Sequence, residues 1–260
     1  MKTYIVWIAI LVGSSAVHAE TGFLDRSVTM AGQTFAYEVY VPRDFNGARA
    51  WPVVVSLHGG GGLGSDGIRP TENGWAAGIR RDRSLYPAIF LFPQARRSWV
   101  DREMQDLVIL QLDRTIAEFH GDPSRIYLTG FSMGGAGAYR MAYRWPERFA
   151  AVVTVAGPVE AGVSAPPQNL ELDRQSNPYT TQPDPFTVLA TGIRNIPILV
   201  FQGDADEVVP VEQSRRIVAA LKKAAANVRY TEFPGLNHGE AGTKALTDPA
   251  TLSWLLTQHR

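Results

Sequence analysis

The sequence predicts an α/β fold built on a mostly parallel, doubly wound sheet. Residues 51–57, 88–92 and 196–201 are short, almost continuously apolar runs, the pattern of strands buried on both faces. They alternate with stretches of helical period, which places helices against both sides of the sheet. Between a strand-like stretch (125–131) and a helix-like one (134–145) stands Gly130-Phe-Ser132-Met-Gly134. Strand and helix pack so closely at such a turn that a Cβ at either glycine would clash. Ser132 would stand at its tip, and the Met133 N–H, at the positive end of the helix, would face any oxyanion formed there.

The 260 residues suit one α/β domain. Apolar residues make up 45% and charged residues 19%, as in ordinary globular proteins. The net charge of zero lacks the basic excess of a nucleic-acid binder. There is no cysteine, hence no disulfide, thiol nucleophile, thiolate metal site or lipoprotein anchor. Met1-Lys2, an apolar run over 4–12 and Val17-His18-Ala19 read as a secretory signal peptide over residues 1–19. The run is too short for a membrane span. The expected domain then covers residues 20–260, exported to a periplasm or beyond the cell.

In chain order, residues 23–41 read as an antiparallel hairpin, and 42–47 as a loop. The strand at 51–57 runs into His58-Gly-Gly-Gly-Gly62. A glycine loop after a strand is where a second oxyanion donor sits, and the Gly60 N–H is the candidate. The loop lacks the Lys-Ser/Thr ending of a phosphate cradle. Residues 66–84 are mixed and polar, with Trp75 read at a pocket mouth. A strand at 88–92 is followed by an amphipathic helix over 104–119, stopped by Gly121-Asp-Pro123. Strand 149–155 completes this run.

Residues 157–195 break the rhythm, with Pro166-Pro167, Pro178, Pro183 and Pro185 and no clear period. They read as a partial lid over the cleft, or else as a surface excursion. Strand 196–201 follows, then a helix over 211–225, a last strand at 228–233 and a closing helix at 250–258.

Asp204 and Asp206 both lie beyond the strand at 196–201. Asp206 is preferred as the carboxylate that orients an imidazole, because Asp-x-Val-Val-Pro sets it just before a helix, and Asp204 reads as a turn former. His238, in a loop after the last strand, is the general-base candidate. His58 belongs to the glycine loop, His120 ends a helix and His259 is terminal. The order Ser132, Asp206, His238 is that of the α/β-hydrolase fold.

Leu57-His-Gly-Gly-Gly-Gly-Leu-Gly-Ser-Asp66, Pro87-Ala-Ile-Phe-Leu-Phe-Pro-Gln94 and Asp122-Pro-Ser-Arg-Ile-Tyr-Leu-Thr-Gly-Phe-Ser-Met-Gly-Gly135 resemble exported carboxylesterases related to the prolyl-oligopeptidase catalytic domain. That group includes feruloyl-esterase-like and polyhydroxybutyrate-depolymerase-like enzymes. The resemblance spans residues 37–239 outside the 157–195 insertion. It implies Ser132, Asp206 and His238 as a triad, with Gly60 and Met133 N–H groups as the oxyanion hole. Gln202 departs from it, standing where such sequences often have histidine.

The expected reaction is hydrolysis of small-molecule or polymer-end carboxylic esters, needing neither metal nor organic cofactor. Trp75, Trp99, Tyr179 and Phe186 are candidates for an aromatic wall. Arg96 and Arg97 would attract an anionic substrate or simply face solvent. A serine peptidase with the same triad and a non-catalytic binding module on this scaffold are the rival readings.

Overall fold

The computed structural model describes residues 20–163 and 167–260. The leader expected over residues 1–19 lies outside them.

β1 (Gly22–Met30) and β2 (Gln33–Val41) pair antiparallel about Ala31 and Gly32, whose φ values of +49° and +76° form the two-residue turn that suits strand twist. Then follow β3 (Trp51–Leu57), α1 (Trp75–Arg81), β4 (Ile89–Phe92), α2 (Arg102–Glu118), β5 (Gly121–Phe131), α3 (Met133–Arg144) and β6 (Ala151–Val155). The chain continues through α4 (Pro167–Ser176), α5 (Pro185–Ile193), β7 (Ile198–Gly203), α6 (Glu212–Lys223), β8 (Val228–Phe233), α7 (His238–Thr247) and α8 (Pro249–Leu256).

The eight strands lie in the order β1-β2-β4-β3-β5-β6-β7-β8. The β1–β2 and β2–β4 pairings are antiparallel and β3 to β8 run parallel. This is the α/β-hydrolase arrangement. Alternate strand residues feed two cores. Val53, Val55 and Leu128 pack with α2, α3, α5 and α6, whereas Val54, Tyr127 and Val153 pack with α1, α7 and α8. The glycine loop, Ser132, Asp206 and the approach to His238 follow β3, β5, β7 and β8, so parallel strands deliver all four to one edge of the sheet.

Three local readings differ. β5 begins at Gly121 instead of 125, because Gly121 pairs with Trp51 and carries the strand through Pro123. His238 is not in a loop but opens α7, capped by Asn237 and Glu240 in a reciprocal capping box. The 157–195 stretch is largely helical. Tyr179, Phe186, Leu189 and Ile193 are buried in the same core as α3 and α6. Its periodicity is faint because α4 and α5 are short and interrupted by prolines.

Candidate active site

The turn after β5 requires its glycines. A Cβ on Gly130 would fall on the Gly134 carbonyl, and one on Gly134 would fall on the Leu57 carbonyl, where β3 becomes the glycine loop. The elbow and that loop are therefore pressed together by backbone contact. Ser132 itself has φ +56° and ψ −118°, a conformation an L residue holds at a cost of about 1–3 kcal/mol. Its N–H donates to Val155 O at 2.8 Å, which helps hold the strained turn against β6.

His238 Nε2 lies 2.8 Å from Ser132 Oγ, and His238 Nδ1 lies 2.7 Å from Asp206 Oδ2. The Asp206 side chain is fully buried while that of His238 remains 15% exposed, so the carboxylate is shielded and the imidazole can still meet a substrate. The Val208 and Val209 N–H groups both donate to Asp206 Oδ1 at 2.9 Å. These donors stabilise the charged carboxylate. Asp204 is engaged elsewhere, accepting the Gly235 N–H at 2.6 Å in a turn. With Nδ1–H donated to Asp206, Nε2 is left as an acceptor for the serine proton. Phe131 sits against His238 with ring centroids 4.7 Å apart; sequence reasoning missed it, although its place beside the nucleophile was a usable signal.

Gly60 opens a short 3₁₀ turn over Gly60–Gly62, and Met133 opens α3. The N–H of a first helical residue has no acceptor within its own helix, so both can donate outward. The loop is held from behind by the segment between β4 and α2. His58 Nε2 accepts the Ala95 N–H at 3.0 Å while Nδ1–H donates to Gly59 O at 2.7 Å. Burial pushes the His58 imidazolium down to about 4, against a smaller opposing effect of the Gly59 carbonyl. It is thus a neutral strut rather than a base. Trp99 Nε1 donates to His58 O, and buried Gln94 donates to Gly62 O while accepting the Gly67 N–H.

A cavity of about 350 Å³ adjoins this site. Leu57, Phe131, Gly242 and Leu246 are among its apolar lining, with Arg69 and Glu72 also contributing. Gly59 and Gly61 form part of one wall, and Phe131 and Gly239 connect it to Ser132 and His238 in sequence. Among the described residues, none of 157–195 lines it. This stretch docks on α3. The fully buried Arg140 guanidinium of α3 pairs with Asp173 of α4 and donates to Pro158 O and Val159 O.

The aromatic wall is also corrected. Trp75 and Trp99 are fully buried, and Tyr179 and Phe186 nearly so. Trp75 donates to Thr129 Oγ1 within the core, because α1 turns its apolar face to the sheet. Arg96 binds Gln33 and Thr34 O and covers Phe35. Arg97 pairs with Asp101 and Glu103. Among the described residues no helix is long and apolar enough to cross a membrane.

The sequence profile of the prolyl oligopeptidase family matches residues 92–258. Putative esterase NocK of Nocardia uniformis subsp. tsuyamanensis is 28% identical over 202 residues, covering 72% of this chain and 49% of that protein. The crystal structure of a thermostable esterase superposes with a TM-score of 0.72 at 29% identity, covering 92% of this chain and 63% of the other. The Staphylococcus aureus fluorophosphonate-binding serine hydrolase FphF gives the same TM-score of 0.72 at 16% identity, covering 92% of this chain and 100% of that one. The chain therefore spans about half the length of the first of these relatives and under two thirds of the second.

Proposed function

This chain belongs to the prolyl oligopeptidase family, and from that premise we propose that it is an exported serine hydrolase that cleaves carboxylic esters. The observation that carries the proposal is the continuous contact from Ser132 Oγ through both ring nitrogens of His238 to Asp206. His238 Nε2 takes the hydroxyl proton as Ser132 Oγ attacks the ester carbonyl. Asp206 fixes the tautomer and stabilises the imidazolium. The Gly60 and Met133 N–H groups receive the oxyanion. The imidazolium then protonates the departing alcohol, and water releases the acid from Ser132 by the same route.

The ester preference draws support from the two esterase relatives at 28% and 29% identity. Substrate would reach the site through the cavity beside Gly59 and Phe131, where Leu57, Phe131 and Leu246 offer an apolar surface to an acyl or alcohol group beside the polar Arg69 and Glu72. The export proposal draws on the leader-like residues 1–19. Cleavage after Ala19 would leave β1, which starts at Gly22, whole. N-terminal sequencing of the protein recovered outside the cytoplasm should begin at Glu20; recovery with Met1 intact would defeat the export proposal.

The decisive experiment is turnover of p-nitrophenyl esters of graded acyl length beside matched p-nitroanilides. Ester hydrolysis that disappears in Ser132→Ala, with the anilides far slower, is the expected result. Faster anilide turnover would identify a peptidase. Inactivity on all substrates, with no labelling by a fluorophosphonate, would identify a non-catalytic scaffold.

A further inference from the structure

Gln202 is fully buried near the end of β7, and its amide is completely engaged. Its Nε2 donates to Asp206 Oδ2 at 2.6 Å and to Val209 O at 3.1 Å, and its Oε1 accepts the Ser214 hydroxyl at 2.8 Å. The two acceptors on the nitrogen side fix which way the amide faces. Asp206 Oδ2 is also the oxygen that receives His238 Nδ1–H. Two N–H donors therefore share one carboxylate oxygen, and a hydrogen-bonded chain runs from α6 through Ser214, Gln202, Asp206 and His238 to Ser132.

From this arrangement we infer that Gln202 is a positioning residue of the triad, one that locks the Asp206 carboxylate and moderates its pull on the His238 proton. The inference rests on the proposed roles of Ser132, Asp206 and His238. Donors on a carboxylate spread its charge, so the oxygen facing the imidazole carries less than it would alone. The surrounding backbone leaves that carboxylate little freedom to compensate. A Cβ on Gly203 would meet the Leu236 carbonyl, so the end of β7 is pressed against the loop between β8 and α7, and Asp206 Oδ1 is held by two N–H groups.

Other charged groups near His238 have partners of their own. On α7, the Glu240 carboxylate accepts the Asn237 N–H, and Lys244 lies over the Phe233 ring. On the β7–α6 loop, Asp204 accepts the Gly235 N–H. Asp206 is the charged side chain in contact with the imidazole.

The test compares Gln202→Met, which removes the amide at similar volume, with Gln202→His, which restores an N–H donor. In Gln202→Met the uncompensated carboxylate favours the imidazolium. The acid limb of kcat/KM for a p-nitrophenyl ester should move to higher pH by roughly half to one unit, with KM close to wild type. The downfield proton resonance of His238 Nδ1–H should move as well, and Gln202→His should return both towards wild type. Activity that falls by one factor at every pH, with limb and resonance unmoved, would reduce Gln202 to packing and overturn the inference. If circular dichroism shows Gln202→Met unfolded, Ser214→Ala takes its place. Release of Oε1 should then give a smaller displacement in the same direction, and an unmoved limb and resonance would overturn the inference. The resonance is read without substrate, so it separates failure of this inference from failure of the esterase reading, which an inactive wild type would reveal.

Discussion

The two flanks of Ser132 are built on opposite principles. On the proposed oxyanion flank the candidate donors are backbone N–H groups, Gly60 in the glycine loop and Met133 at the start of α3, and the side chains that hold the loop stand behind it. His58, Gln94 and Trp99 tie the loop to residues 94–99, some forty positions away from His58 in the case of Trp99. On the proposed proton-transfer flank the candidate groups are side chains, His238 and Asp206, and their supports lie close along the chain. Val208 and Val209 hold Asp206, and Asn237 with Glu240 caps the helix that begins at His238. A backbone donor has no rotamer to adjust, so its aim depends on where distant segments place the loop. A side-chain donor or acceptor is aimed locally.

Substitutions can set these flanks against each other. The largest expected effects fall on the proton-transfer flank. Ser132→Ala should lower kcat by about 10⁴-fold or more and abolish fluorophosphonate labelling, and Asp206→Asn should cost about 10⁴-fold by favouring the wrong tautomer. Near-normal turnover in Asp206→Asn would break the assignment of that flank.

Next comes Gly62→Ala on the oxyanion flank. Its Cβ would stand 2.5 Å from His58 Cγ, so the loop must shift and the Gly60 N–H loses its aim. The expected loss is about 10²–10³ in kcat with little change in KM, the cost of losing one oxyanion donor. An equal rise in KM without loss of kcat would make the loop a binding feature instead.

His58 yields a stability prediction. Its folded-state value is depressed from 6.5 to about 4 by burial. Below pH 6.5 the unfolded chain takes up a proton that the folded chain refuses. The contribution of neutral His58 is therefore complete above that pH and is lost as pH falls towards 4. The loss amounts to about 2–3 kcal/mol. Urea unfolding of wild type and His58→Gln across this window should show a shallower acid decline in the variant; parallel declines would refute the neutral-strut reading.

The smallest effect is expected for Gln94→Leu, which leaves the buried Gly67 N–H without its side-chain acceptor. A loss of about 1–3 kcal/mol in stability and roughly tenfold in kcat should follow. Wild-type kinetics in this variant would show that the remaining ties suffice to aim the loop.

Much of the fold was legible because its signals are local. Continuous apolar runs gave the central strands, and Ala31-Gly32 marked the hairpin turn. Gly130 and Gly134 marked a turn that excludes side chains, and the chain order of Ser132, Asp206 and His238 matched one topology. Local signals misled where burial depended on distant partners. Trp75 sits in a polar stretch, yet its ring lies in the core and reaches Thr129. The 157–195 segment lacks a clear period, yet Arg140 anchors it through Asp173. The start of α7 at His238 was missed because its capping box sits directly after a glycine turn, where a loop was the simpler reading.

By itself the sequence determined the strand–helix alternation and the elbow, since both follow from side-chain period and allowed backbone angles within a few residues. It also determined the types and order of the candidate catalytic groups. Only the tertiary structure decided which aromatics are core, that none of the described residues of the insertion lines the cavity, and that Gln94 and Gln202 hold the two flanks. Those outcomes depend on which side chains meet once the elements have packed together. Satisfying a buried amide is a requirement of the whole packed fold, and the partners of Gln94 stand 27 and 32 positions away along the chain.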